Sequence, residues 1–240
     1  MQSLYQIPNY YLEIINHLVD TSLEVETLNK IFKKHQVKKV LDVACGVGRH
    51  AIPLAKKGFD ITGIDFSPHQ LSKAREEADK ENVKLNFLLQ DANIFCNENF
   101  FDAAICMWTT LGEEPLEYEK VIKNVYESLK EKGIFVIDNR SWMWMPKEKK
   151  ETIINNIKLK DGTLLQTTIN DKYTDKLRIR DVTTCIGDGI HKDLCITHLL
   201  TEKDWIKTLK KAGFKKFEVL HDYKKIKVNK PKRILIIAKK

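Results

Sequence analysis

Apolar side chains recur at helical spacing from residue 9 to residue 34. Tyr11, Ile14, Ile15 and Leu18 form one stripe; Leu23, Leu28, Ile31 and Phe32 form a second. Ser22 is placed to cap the second helix, with Glu24 in its first turn. A short apolar run at 39–44 then predicts a strand, followed by a helix to about Lys57 that Gly58 stops. Pro53 within that helix removes a backbone donor and predicts a kink. The rhythm repeats with a strand at 60–65 and a helix capped by Ser67, with Pro68 at its first position. Strands at 83–89 and 101–107, a helix over 115–130 and a strand at 134–138 behind Gly133 complete the series. Strands alternating with helices predict a mostly parallel α/β sheet with helices on both faces.

Beyond residue 150 the pattern changes to two-residue alternation. It is broken at Asp161-Gly162 and at Gly187-Asp188-Gly189, both hairpin signals. Residues 150–200 therefore read as an antiparallel insertion of three or four strands. Thr201 opens a helix with Asp204 three residues on, Gly213 closes it, and strands at 217–220 and 234–238 finish the chain. The expected organisation is one domain, 1–149 with 201–240, carrying an inserted β lid at 150–200.

Composition narrows the class. With 240 residues, 42% of them hydrophobic, the chain can bury one substantial core. No apolar run approaches the roughly 20 residues that cross a bilayer, and residues 1–5 lack the features of a secretory signal. The expectation is a soluble, cytoplasmic protein with no membrane partner. Five cysteines without a C-x-x-C pair suit a reducing compartment. Cys185, His191, Cys195 and His198 lie close together, but strand alternation turns His198 away from His191 and Cys195, so no metal is expected. The net charge of +8 is concentrated in residues 202–240, where fourteen Lys or Arg face four Asp or Glu. A basic region of this kind is compatible with nucleic acid; a lysine-rich solvated surface is the preferred reading. A homodimer is left open.

The chemistry concentrates in Asp42-Val43-Ala44-Cys45-Gly46-Val47-Gly48-Arg49-His50-Ala51, where a buried strand runs through a glycine turn into a helix. Gly46 and Gly48 let a ligand approach the backbone, and the free N–H groups at the helix start can receive it. Gly46, Gly48 and Ala51 also fit the dinucleotide pattern, which keeps a nicotinamide-dependent oxidoreductase as a rival reading. Against it, Asp42 ends the strand and Ala44-Cys45 delays the first glycine.

The stretch from Asp42 to Gly48 resembles the first motif of the class I S-adenosylmethionine-dependent methyltransferases. The resemblance implies a Rossmann-like seven-stranded sheet whose first loop, through Asp42, Ala44, Gly46 and Gly48, embraces the methionine part of S-adenosylmethionine. Gly63-Ile64-Asp65-Phe66-Ser67 is similar to the family's second-strand end, which implies that Asp65 binds both ribose hydroxyls and Phe66 packs beside the adenine. A carboxylate suits a vicinal diol because it accepts two hydrogen bonds at once. Leu89-Gln90-Asp91-Ala92 resembles the acidic loop that reads the adenine amino group, and 101–107 resembles the strand that floors the cofactor, ending at Met107. Leu129-Lys130-Glu131-Lys132-Gly133 resembles the turn into strand five, without its proline and one of its glycines. The likeness covers about 39–139, with 201–213 and the last strands.

The implied activity is methyl transfer to a nitrogen or oxygen of a small-molecule acceptor; an RNA or protein acceptor on the basic C-terminal region is the alternative. The insertion after strand five resembles the lid of small-molecule enzymes such as the glycine and sarcosine group. Acceptor candidates are Trp108 and Thr109 after strand four, Asn139 and Arg140 after strand five, Tyr11 on the first helix and His198 in the insertion. Trp142 and Trp144, alternating with Met143 and Met145, form either a pocket wall or a hinge. No residue stands out as a catalytic base.

Overall fold

The computed structural model describes residues 7–142, 150–224 and 231–240. Two helices lead the chain, α1 (Pro8–Leu18) and α2 (Thr21–Lys34). The cap of α2 is Asp20, whose Oδ1 accepts from Leu23 N at 3.0 Å. Ser22 therefore lies inside the first turn, two residues past the cap. The second stripe faces inward through Leu28 and Phe32, whereas Leu23 is exposed.

The α/β series follows as β1 (Lys39–Val43), α3 (Ala51–Lys56), β2 (Asp60–Asp65), α4 (Pro68–Lys80), β3 (Asn86–Leu89), β4 (Phe101–Cys106), α5 (Tyr118–Ser128) and β5 (Leu129–Arg140). The helix after β1 is shorter than its pattern suggested, because residues 46–50 form turns. Pro53 is consequently the third residue of α3, within the first helical turn, where a proline is tolerated without a kink. Ser67 caps α4 through its hydroxyl, as expected.

After the second sheet come α6 (Glu202–Ala212), β10 (Lys216–His221) and β11 (Arg233–Lys239). The main sheet has the order β10-β11-β5-β4-β1-β2-β3, in which β11 is antiparallel to both of its neighbours and the other six strands run in one direction. From β3 the chain crosses over to β4 on the far side of β1. The order reverses between β1 and β4, and open α/β sheets bind ligands at the carboxyl ends beside such a reversal.

Alternation along the strands builds two cores. Val40, Ile61, Ile105 and Val136 meet α2, α3 and α4; Leu41, Ile64, Phe135 and Ile137 meet α5 and α6, where Trp205 is buried. Gly63 is needed for this packing, since a Cβ there would stand 2.8 Å from Cys45 Sγ.

The insertion is a second, wholly antiparallel sheet of four strands in sequence order: β6 (Lys150–Lys158), β7 (Leu164–Tyr173), β8 (Leu177–Ile186) and β9 (Gly189–His198). Two of its turns are the glycine signals. The third, at 174–176, has no glycine; Thr174 Oγ1 makes it by accepting from Leu177 N at 3.0 Å. Leu165 and Ile186 of this sheet pack on Ile14 of α1, and Ile196 O accepts from Glu114 N at 3.0 Å, joining the sheet to the loop after β4. Among the described residues, no helix is long and apolar enough to cross a membrane.

The capping box of α6 is complete, with Thr201 Oγ1 accepting from Asp204 N and Asp204 Oδ2 accepting from Thr201 N. Thr201→Ala should lower stability by about 1 kcal/mol in urea unfolding, leaving the slope unchanged.

Candidate active site

The carboxyl ends of β1, β2, β4 and β5 converge on one region. After β1 the backbone turns left-handed at Ala44 (φ 55°) and again at Gly46 (φ 54°). A Cβ at Gly46 would meet only Gln70 Oε1, at 3.7 Å, so the backbone there faces open space. Gly48 is different: its missing Cβ makes room for Phe87 and Ile52 in the core.

Asp65 stitches the turn to β2. Its Oδ2 accepts from Gly46 N and its Oδ1 from Ser67 N, each at 2.8 Å. Burial raises its carboxyl above the ordinary range, against the pull of those backbone donors. Asp42 is 2% exposed and receives one backbone hydrogen bond, from Ala51. Its Oδ2 has no partner. Burial pushes its pKa up to about 8, with Arg49 opposing the rise and Asp65 adding to it.

Two adjoining cavities open here. The larger, about 300 Å³, is lined by Tyr11, Gly46, Asp65, Phe66, Trp108, Glu113 and Asp193 among others. The smaller, about 50 Å³, lies over Asp42, Ala44, Arg49, His50 and Met107. Tyr11, Ala44, Gly46, Trp108 and Thr110 line both.

The loop after β4 is held in an unusual backbone. Trp108 (φ 65°) and Thr109 (φ 73°) are both left-handed, a conformation costing roughly 1–2 kcal/mol each. Asp138 on β5 holds it, accepting from Trp108 N through Oδ2 at 3.0 Å and from Thr109 N through its backbone oxygen at 2.8 Å. Arg233 of β11 clamps the same carboxylate, donating from Nε to Oδ1 at 2.8 Å and from Nη2 to Oδ2. Behind the glycine turn, Glu24 of α2 accepts from Arg49, from His50 Nε2 at 2.9 Å and from Tyr223 OH at 3.1 Å. The Arg49 guanidinium in turn lies 5.8 Å from the Trp108 ring centre.

Residues 40–133 match the model of a methyltransferase domain family. The glycine/sarcosine N-methyltransferase of Aphanothece halophytica is 35% identical over 135 residues, 54% of this chain and 51% of that protein. The aligned part thus spans about half the length of that relative. The structure superposes on an S-adenosylmethionine-dependent methyltransferase from Clostridium acetobutylicum ATCC 824 with a TM-score of 0.82, at 20% identity and 96% coverage of both chains. It also superposes on the sugar N-methyltransferase KedS8 from Streptoalloteichus sp. ATCC 53650 with a TM-score of 0.75, at 19% identity and 96% and 92% coverage. At such identities the structural likeness is one of fold. Residues 40–133 thus match a methyltransferase domain, and the chain as a whole has the fold of S-adenosylmethionine-dependent methyltransferases.

The methyltransferase motifs fall into place unevenly. Asp42, Ala44, Gly46, Asp65, Phe66 and Met107 all border the paired cavities. Asp91 does not: it is exposed, and its Oδ1 closes an Asx turn by accepting from Asn93 N at 2.8 Å. Ala92 is buried in the core cluster that contains Leu116. Of the acceptor candidates, Tyr11 and Trp108 line both cavities. Thr109 instead takes hydrogen bonds from Arg140 N and Arg233, serving the loop. Asn139 is 1% exposed and lies beside Gly112, with both side-chain polar atoms unpartnered. Arg140 and Arg178 flank the buried ring of Trp142. His198 lies in a neighbouring groove, edge-on to Tyr118 and 3.8 Å from Glu114. Met143, Trp144 and Met145 lie outside the described residues.

Glu24, Glu113, Arg178, Tyr223 and Arg233 belong to no motif. For Arg178, Tyr223 and Arg233 nothing in the local pattern marks a role, because their partners are far along the chain. Glu113-Glu114 carried a signal: two carboxylates following a strand's carboxyl end in an α/β series.

The Glu24 cluster also generates a pH dependence. Burial pushes its carboxyl up, but hydrogen bonding from His50 and the Arg49 charge prevail and hold it at about 2, below the ordinary 4.5. A depressed carboxylate stabilises the fold above its unfolded pKa and loses that contribution as pH falls through the folded value. Urea unfolding should therefore lose on the order of 3 kcal/mol between pH 5 and pH 2 from this group, and Glu24→Gln should flatten that part of the profile.

Proposed function

We propose that the protein transfers a methyl group from S-adenosylmethionine to a nitrogen or oxygen of a small-molecule acceptor, with residues 150–200 serving as the lid. The observation that carries this reading is the pairing of buried carboxylates Asp42 and Asp65 around the bare backbone of Gly46, Asp42 on the smaller and Asp65 on the larger of two adjoining cavities, the larger also walled by Asp193 and Leu194 of the second sheet. The likeness of the matched region to a glycine/sarcosine N-methyltransferase, and of the fold to a sugar N-methyltransferase, supports the small-molecule class. An RNA or protein acceptor on the basic C-terminal region has less support. Lys216 and Lys239 pair at the β5-start end of the sheet, opposite the cavities.

The residues present suit the cofactor. Asp42 keeps an unpartnered buried oxygen, which calls for a cationic or donor group. Asp65 gives one hydrogen bond acceptance to Gly46 and one to Ser67, leaving lone pairs for a diol. Phe66 is 61% exposed on the cavity side and offers a flat apolar face. When bound, the cofactor supplies an activated methyl group on a sulfonium. The chain's own part is to position the acceptor in line with that group and to exclude water. Tyr11 of α1 and Trp108 of the strained loop roof the junction of the two cavities, where both tasks are met.

Two measurements test the cofactor reading. Asp65→Ala should weaken S-adenosylmethionine binding by at least about 10–100-fold in calorimetry, the loss of one or two hydrogen bonds to a charged acceptor. Unchanged affinity in a folded variant would overturn the assignment. Because burial pushes the Asp42 pKa up to about 8, a cation bound beside it should lower that value and favour ionisation. Calorimetry at pH 7 in buffers of different ionisation enthalpy should then report proton release on binding, absent in Asp42→Asn.

A further inference from the structure

We propose that Glu113 is the catalytic proton acceptor for an amine substrate, with Arg178 and Thr197 of the second sheet as the residues that position its carboxylate. This rests on the small-molecule methyl transfer proposed above and narrows the acceptor to a primary or secondary amine that is protonated in neutral water.

The geometry places Glu113 between the two sheets. It follows the single 3-10 turn of Thr110–Gly112, and its backbone forms an isolated bridge with Thr197 of β9. Its Oε1 lies 3.3 Å from Arg178 Nη2 and 3.4 Å from Thr197 Oγ1, and Arg178 Nη2 also donates to Thr197 Oγ1 at 2.7 Å. Among the described residues these side-chain bonds all use Oε1, which leaves Oε2 for a ligand. The side chain is 25% exposed, and that exposure is toward the larger cavity it lines.

The charge of that cavity selects the acceptor. Its described walls carry Asp65, Glu113, Glu114 and Asp193, with the aromatic rings of Tyr11 and Trp108, and no Lys, Arg or His. Arg178 is 4% exposed and backs the Glu113 carboxylate. A space bounded by carboxylates attracts an ammonium group and opposes the ionisation of an alcohol or phenol, since a new anion there would face like charges. An ammonium nitrogen has no free lone pair, so an amine acceptor needs a base at the site.

Glu113 has the surroundings of such a base. Burial raises its carboxyl, while the charges of Arg178, Arg180 and Arg233 and the hydrogen bond from Thr197 limit the rise. The other titratable groups it influences, Tyr11 from α1, Cys195 from β9 and Cys106 from β4, are all pushed up by burial and stay neutral near pH 7. In the step itself the ammonium gives an N–H proton to Glu113. The freed nitrogen lone pair forms the new N–C bond to the methyl carbon as the C–S bond breaks. The electron pair of that bond stays on sulfur, which leaves as an uncharged thioether, and the methylated ammonium carries the positive charge.

The test begins with the intact wild-type protein, tritiated S-adenosylmethionine and a metabolite extract. The extract is used either untreated or after its amines have been capped by acylation. Incorporation into the untreated extract that disappears after capping supports the inference. Incorporation that survives capping overturns it and leaves methyl transfer standing. No incorporation from either extract, with cofactor binding intact, counts against the parent reading. Glu113→Gln then tests the residue. At pH 7, kcat/KM for the captured amine should fall by on the order of 10²–10⁴, and the rise of the wild-type profile with pH should move upward toward the amine's own range. Cofactor affinity should stay within about threefold. An unmoved pH profile in a variant that still binds cofactor removes Glu113 as the base.

Discussion

Carboxylates buried at the carboxyl ends of neighbouring strands are the constraint around which this molecule is arranged. Asp42 ends β1, Asp65 ends β2 and Asp138 lies near the end of β5, each no more than 7% exposed. An ionised carboxylate in such a place is costly unless it is paired or hydrogen bonded. The chain meets the cost in three ways. Asp65 takes backbone donors from Gly46 and Ser67, which shapes the glycine turn around it. Asp138 takes the Arg233 guanidinium and the Trp108 N–H, which bends the loop after β4. Asp42 takes only one backbone donor, keeps one oxygen unpartnered and has a raised pKa. That unpartnered buried oxygen is the feature on which the proposed cofactor reading rests.

Distant segments are recruited by the same need. The β10–β11 pair supplies Arg233 to Asp138, and Tyr223, just past β10, supplies a hydroxyl to Glu24. Glu24 belongs to α2 and fixes Arg49 and His50 behind the glycine turn. Segments from both ends of the chain thus brace the two loops that border the cavities. The left-handed backbone at Trp108 and Thr109 is tolerated because hydrogen bonds to Asp138 from both residues determine it. The second sheet joins through Arg178 and Thr197, which meet Glu113, and through Leu165 and Ile186, which hold α1 over the junction.

Much of the fold was legible in the sequence because its signals are local. The βα rhythm, the Ser67-Pro68 start, the Thr201 box and the glycine hairpins each act within a few residues. Where the sequence reading slipped, a competing local group had taken the role. Asp20 replaced Ser22 as a cap, and a threonine side chain closed the turn at 174–176 without glycine. Asp42, Gly46 and Asp65 were readable because they sit at fixed offsets from strand ends. Asp91 had the same positional signal, yet in the structure it is exposed, does not border the paired cavities, and uses Oδ1 to close its own turn.

By itself, then, the sequence determined the alternating α/β architecture, the inserted sheet, and the glycine turn flanked by acidic strand ends, since each follows from periodicity and turn chemistry over short spans. Only the tertiary structure decided which polar groups meet. Glu113 and Arg178 are 65 positions apart, and Asp138 and Arg233 are 95 apart. No local pattern specifies such pairs; they form because the sheet order places those strands side by side, and burial then demands a partner for every charge.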